Sequence, residues 1–177
     1  MRKKRLRAEQ IRTKLVEIEE STDLVKENLP HSFEDFAKLG LIKDGIYKRM
    51  EFAIENVFDI CAIVNSDLRL ELPESDEGIL ENLVNRGILT REMNEMIMKM
   101  KGFRNIIVHR YGKIDDEIAY RNLVNNIDDF YRFIDQVEDF LERMSISDRD
   151  CDFNCPVNAL LRYENGSDGG AIFILPL

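Results

Sequence analysis

The chain has 177 residues, of which 44% are hydrophobic and 33% charged, and its formal net charge at neutral pH is -9. This size and balance fit one soluble globular domain with a substantial core and room for one appendage, and exclude a disordered chain. The acidic balance argues against a protein that coats nucleic acid by bulk electrostatics, while leaving a local phosphate site open.

From about residue 6 to 28, Leu6, Ile11, Leu15, Ile18, Leu24 and Val25 recur at helical spacing among charges, and Asn28-Leu29-Pro30 ends that helix. Ser32 has the character of an N-cap, and the pattern then runs to about Leu68, with Gly40 and Gly45 as candidate interruptions. In that span Ile46, Met50, Ala53, Ile54, Val57, Phe58, Cys61 and Val64 mark a long amphipathic face that should be central to the core. A loop at Leu72-Pro73-Glu74-Ser75 precedes a short helix from Asp76 to about Arg86, which Gly87 closes. Thr90 and Met93 open a fourth helix that is expected to reach Tyr111 and stop at Gly112. Asp115 or Asp116 starts a fifth, where Ile118 to Leu141 keep the helical period to about Met144. The expected fold is an all-α antiparallel bundle of four to five helices over residues 1–144.

Residues 145–177 form a C-terminal extension with a different pattern. Two apolar runs, Val157 to Tyr163 and Ala171 to Leu175, flank a glycine-rich turn and suggest a β-hairpin. Cys61 sits in a helical apolar pattern. Cys151 and Cys155 have no second pair of Cys or His nearby, so neither a disulfide framework nor a zinc site is expected. No run of about 18 apolar residues occurs, and Met1 to Arg7 leads into further charge, which points to the cytoplasm and away from membranes. Seven basic side chains fall in the first fourteen residues (Arg2, Lys3, Lys4, Arg5, Arg7, Arg12, Lys14); they could hold phosphates, attract an acidic partner or simply be solvated.

The most informative stretch is Lys101-Gly102-Phe103-Arg104-Asn105-Ile106-Ile107-Val108-His109-Arg110-Tyr111-Gly112, which strands polar groups in an apolar helical run. Burying an arginine, an asparagine and a histidine without partners is costly, so a hydrogen-bond network, an interface or a phosphate must satisfy them. Helical projection puts Arg104 and Tyr111 on the stripe of Met93, Ile97, Met100 and Ile107, with Asn105 and His109 on a second face. Histidine titrates near neutrality and arginine presents a fork suited to phosphate oxygens. On RNA that pair permits attack of a 2′-hydroxyl on the adjacent phosphorus, a nucleophile DNA lacks. On spacing alone, an Arg104 that snorkels to solvent and a His109 satisfied at an interface remain open.

Phe103-Arg104-Asn105-Ile106-Ile107-Val108-His109-Arg110-Tyr111 resembles the Arg-x-x-x-x-His-x-Tyr signature of the HepT toxins, a branch of the HEPN superfamily. The preceding Met-rich helix, the glycine after Tyr111 and the Ile114-Asp115 turn are similar too, so the likeness extends over about residues 6 to 144. It implies a homodimeric bundle with an RNA-cleaving cleft at the subunit interface, acting without metal or other cofactor. Arg104 and His109 would be catalytic and Asn105 their polar companion. It further implies a cognate minimal nucleotidyltransferase antitoxin, MntA, that transfers AMP to Tyr111 and so blocks the cleft. The competing function is a non-catalytic subunit that binds nucleotide or protein beside a nucleotidyltransferase. Glu51, Glu55 and Asp59, four residues apart, either orient Arg104 or His109 or form a solvated flank. The four methionines from Met93 to Met100 suggest adaptable packing at a subunit contact.

Overall fold

A computed structural model describes residues 6–108 and 115–150 of the protein. Every regular element among them is helical: α1 (Ala8–Asn28), α2 (Phe33–Ala37), α3 (Leu41–Asp67), α4 (Asp76–Asn85), α5 (Arg91–Val108), α6 (Asp116–Asn126) and α7 (Asp129–Asp150). The chain divides into two units, Met1–Arg143 and Met144–Leu177. The suggested hairpin lies outside the described residues, as do Cys151 and Cys155.

The spine of the first unit is the antiparallel pair α1 and α3. Its direction follows from its polar ties, since Arg7, Lys14 and Glu17 reach Asp67, Asp59 and Asn56 in that order. Between them Ile11, Leu15, Ile18 and Val25 meet the α3 stripe of Met50, Ile54, Val57, Cys61 and Val64, all nearly removed from solvent. Each such side chain contributes about 1.5–3 kcal/mol of burial, which is what makes these helices stable in place. Burial also pushes the Cys61 thiol up to about 12, so it stays an inert core group.

Two expected continuities are broken. Ser32 caps a helix as its sequence suggests, accepting the Asp35 N–H at 3.2 Å, but α2 ends after one turn. Gly40 then adopts φ 56° and ψ -123°, a region open to glycine, and redirects the chain into α3; Gly45 stays helical. The fifth helix is likewise two, with a turn at Ile127 and Asp128. The apolar period hides this break because Ile127 and Phe130 are both buried. Asn126 Nδ2 bonds back to the Asn122 carbonyl at 3.2 Å, and Asp128 leaves the helical line to meet Lys26 at 2.9 Å. Of the four methionines from Met93 to Met100, Met93, Met96 and Met100 are buried in the core of this chain and Met98 is half-buried.

Candidate active site

α5 carries the motif, and its placement begins with its cap. Thr90 Oγ1 accepts the Met93 N–H at 3.1 Å. The helix then buries Met93, Met96, Ile97, Met100, Phe103 and Ile107 against the bundle. Arg104 falls at the edge of that face, with its side chain 38% exposed. Its Nη2 donates to Glu55 Oε1 at 2.8 Å. Its Nε is buried and has no hydrogen-bond partner among the described residues. An unpaired buried donor costs about 1–3 kcal/mol, and such groups are rare in folded proteins. The guanidinium is thus held by a carboxylate at one amino group, while the side chain as a whole stays partly open to solvent.

The carboxylates that the sequence left ambiguous now separate. Glu51 pairs with Lys48 at 2.9 Å, and Asp59 pairs with Lys14 at 2.7 Å. Glu55 reaches Arg104. One turn upstream, Lys101 is committed elsewhere: its Nζ meets Asp76 at 3.0 Å and Glu77 at 2.9 Å at the start of α4. Its hydrogen bond is the chief reason that the Glu77 carboxyl drops to about 2. Because Lys101 lies over the Phe58 ring while Arg104 meets Glu55, α3 and α5 run antiparallel here. On the same two helices Phe52, Ile106 and Val108 are each 37% exposed.

Asn105 is exposed next to Arg104, whereas His109 and Tyr111 lie outside the described residues. Asp115 caps α6, its Oδ1 accepting the N–H groups of Glu117 and Ile118 at 3.1 Å each. Sequence reasoning missed the neighbouring group: Asp116 joins Lys43 and Tyr47 of α3, and nothing in the apolar pattern marks those three as partners. Among the described residues no cluster of three or more His, Cys, Asp or Glu has the geometry to hold a metal ion. No described helix is long and apolar enough to cross a membrane.

The model of the ribonuclease HepT-like family matches residues 18–137, from the middle of α1 into α7, and so encloses the whole Arg104 region. The chain belongs to the HepT-like ribonuclease family. A putative RNase of Archaeoglobus fulgidus is 33% identical over 100 residues, which are 56% of this chain and 75% of the relative. The mRNA nuclease HepT of Shewanella oneidensis is 26% identical over 97 residues, 55% of this chain and 73% of that one. The tri-AMPylated Shewanella oneidensis HEPN toxin, solved in complex with the MNT antitoxin, superposes with a TM-score of 0.65 at 23% identity. That match covers 72% of this chain and 96% of the toxin, and shows that the two chains share a fold.

Proposed function

We propose that the protein is the toxin of a prokaryotic toxin–antitoxin pair, a cytoplasmic endoribonuclease that cleaves RNA without a metal ion. The observation that carries this reading is the state of Arg104: one amino group fixed by Glu55, an Nε without a partner among the described residues, and a side chain 38% exposed at the edge of a buried face. Such a fork suits two phosphate oxygens and the extra negative charge that builds on phosphorus during in-line attack. In the proposed reaction His109 removes the proton from the 2′-hydroxyl, and the freed oxygen bonds to phosphorus. The bond to the 5′-oxygen then breaks, and that oxygen takes up a proton. The products are a 2′,3′-cyclic phosphate and a 5′-hydroxyl. Asn105, exposed beside Arg104, supports the substrate as a polar companion.

Two copies would complete the cleft; the partial exposure of apolar side chains such as Phe52 and Val108 on α3 and α5 supports this. Residues 1–144 would be the catalytic bundle and 145–177 an appendage. The cognate partner would be a minimal nucleotidyltransferase antitoxin that adds AMP to Tyr111, two residues past His109, placing a bulky anion where the RNA phosphate must sit. The Shewanella HEPN toxin is itself AMPylated and in complex with an MNT antitoxin, which supports that assignment. The test is cleavage of RNA by the purified protein in excess chelator, with Arg104→Ala and His109→Ala each expected to abolish it. Intact RNA at every protein concentration, alongside a stable complex with the nucleotidyltransferase, would instead establish the non-catalytic subunit. Mass spectrometry after incubation with the antitoxin and ATP should place AMP on Tyr111; an unmodified Tyr111 would refute the regulatory part.

A further inference from the structure

The two most exposed large apolar side chains among the described residues stand at the two ends of α3: Leu41 at its start, 87% exposed, and Leu72 in the loop past its end, 95% exposed. At the Leu41 end a groove of about 230 Å³ opens between the last turns of α1 and the first turns of α3. Leu24, Val25, Ile42 and Ile46 make it apolar, and Asn28 and Arg49 complete its edge. Arg49 is the charged member of this lining and has no ion pair among the described residues. Gly45 forms part of the wall, where an added Cβ would meet nothing within 4 Å. Glycine is among the poorest residues for a helix interior, so packing within the chain does not explain its place there, whereas a need for open room does. Leu72, for its part, is held out firmly. The carbonyl of Glu71 accepts from Asn82 Nδ2 at 2.8 Å, the same amide donates to Oδ1 of buried Asn65 at 3.0 Å, and the Asn65 carbonyl takes the Leu70 N–H at 3.0 Å. On the other side Pro73 packs on Gly78, where an added Cβ would stand 3.4 Å from Pro73 Cβ. A lone exposed leucine is ordinary, but one fixed on both sides has already lost the backbone freedom that binding would otherwise cost. Glu71 and Glu74 beside it are exposed and form no ion pair among the described residues.

We infer that Leu72 of one copy seats in the α1–α3 groove of a second copy of this chain, where a carboxylate of Glu71 or Glu74 meets Arg49. A second copy is the occupant because the chain carries both halves: an apolar knob flanked by acids, and an apolar groove whose charge is a cation. The knob cannot fill its own groove. Ile46 and Asp67 lie about 30 Å apart along one unbroken helix, and the chain from Asp67 to Leu72 spans at most about 18 Å. Burial of the leucine drives the contact, and the guanidinium–carboxylate pair gives it direction. Neither Arg104 nor Glu55 takes part, so the contact is independent of the ribonuclease reading above.

The direct test places a diazirine analogue of leucine at position 72 of the full chain and irradiates an equal mixture of ordinary and isotope-labelled protein. Cross-links should join labelled to unlabelled copies and run from position 72 to residues 24–28 or 42–49. Gly45→Glu is the matched variant, because it improves the helix, fills the groove and sets an acid against Glu71 and Glu74. Its melting temperature should hold or rise while self-association, read as mass against concentration by light scattering, weakens about tenfold or more. Leu72→Asp, at a position already in water, should weaken it as much with the fold intact. Arg49→Glu should weaken it too, and adding Glu71→Arg and Glu74→Arg to that variant should restore it. Cross-links confined to single copies, or reaching any other surface of the second copy, would overturn the contact, as would wild-type association in Gly45→Glu. Cross-links in living cells that join position 72 only to a different protein would give the knob to that partner and overturn it as well.

Discussion

Removing Glu55 should split the kinetic constants of RNA cleavage. In Glu55→Ala the Arg104 guanidinium loses the acceptor that holds its Nη2 at 2.8 Å. Both side chains are more than a third exposed, 38% and 44%, so solvent screens the pair and the loss of folding stability should stay under about 1 kcal/mol. Catalysis is more sensitive, because a guanidinium that wanders must be ordered again in each transition state. A charge-assisted hydrogen bond discounted for this exposure amounts to about 1.4 kcal/mol, which is roughly tenfold in kcat. Binding should move the other way. A carboxylate about 5 Å from a substrate phosphate repels it by about 1 kcal/mol in a water-like dielectric, so KM should fall by a few-fold. Steady-state cleavage of a fluorogenic RNA measures both constants, and Glu51→Ala, which loses a partner of Lys48 instead, serves as the control. A wild-type kcat in Glu55→Ala, or a fall in activity carried entirely by a higher KM, would refute the orienting role.

Phe133 of α7 is fully buried, so Phe133→Ala should cost about 3–5 kcal/mol in urea unfolding; a loss below about 1 kcal/mol would mean that α7 does not seal this core. Asp67 is enclosed at the end of α3 and accepts from the Arg7 N–H at 3.0 Å and from its Nε at 2.9 Å. Asp67→Ala should therefore lower stability by about 1–3 kcal/mol, again by urea titration, while Arg7, partly solvated, keeps water as its partner. The Glu77 carboxyl, lowered from 4.5 to about 2, stabilises the fold above pH 4.5, and that contribution fades as pH falls from 4.5 toward 2. Lys101→Met should flatten the melting temperature across this window, and an unchanged acid slope would exclude the Lys101 pairing as its cause. Arg69 ends α3 with φ 53°, so Arg69→Gly should raise stability by up to about 1 kcal/mol, a gain readable as a higher melting temperature.

Most of the fold was legible because the apolar period that stabilises each helix is written in the chain itself. The α3 stripe from Ile46 to Val64 and the Ser32 cap could be read directly from residue order, and Thr90 and Asp115 stood among the residues expected to open a helix. What escaped was decided by partners distant in sequence. The turn at Ile127 and Asp128 interrupts no apolar spacing, and it is made by side chains such as Lys26 that no local pattern identifies. The site divides in the same way. Arg104 stood out as a charge in a greasy stripe, but its bond to Glu55 was one option among three equally spaced carboxylates until α3 and α5 were seen side by side. The link from Asp116 to Lys43 and Tyr47 left no trace in composition or periodicity.

The central claim is that Arg104 and His109 drive attack by the RNA's own 2′-hydroxyl. The most direct measurement is end-group analysis of RNA cut by the wild-type protein in excess chelator, repeated with an otherwise identical substrate carrying a single 2′-deoxy sugar at the cleaved position. The account predicts a 2′,3′-cyclic phosphate on the upstream fragment and no cleavage of the deoxy substrate. A 5′-phosphate product, or equal cleavage of both substrates, would contradict it.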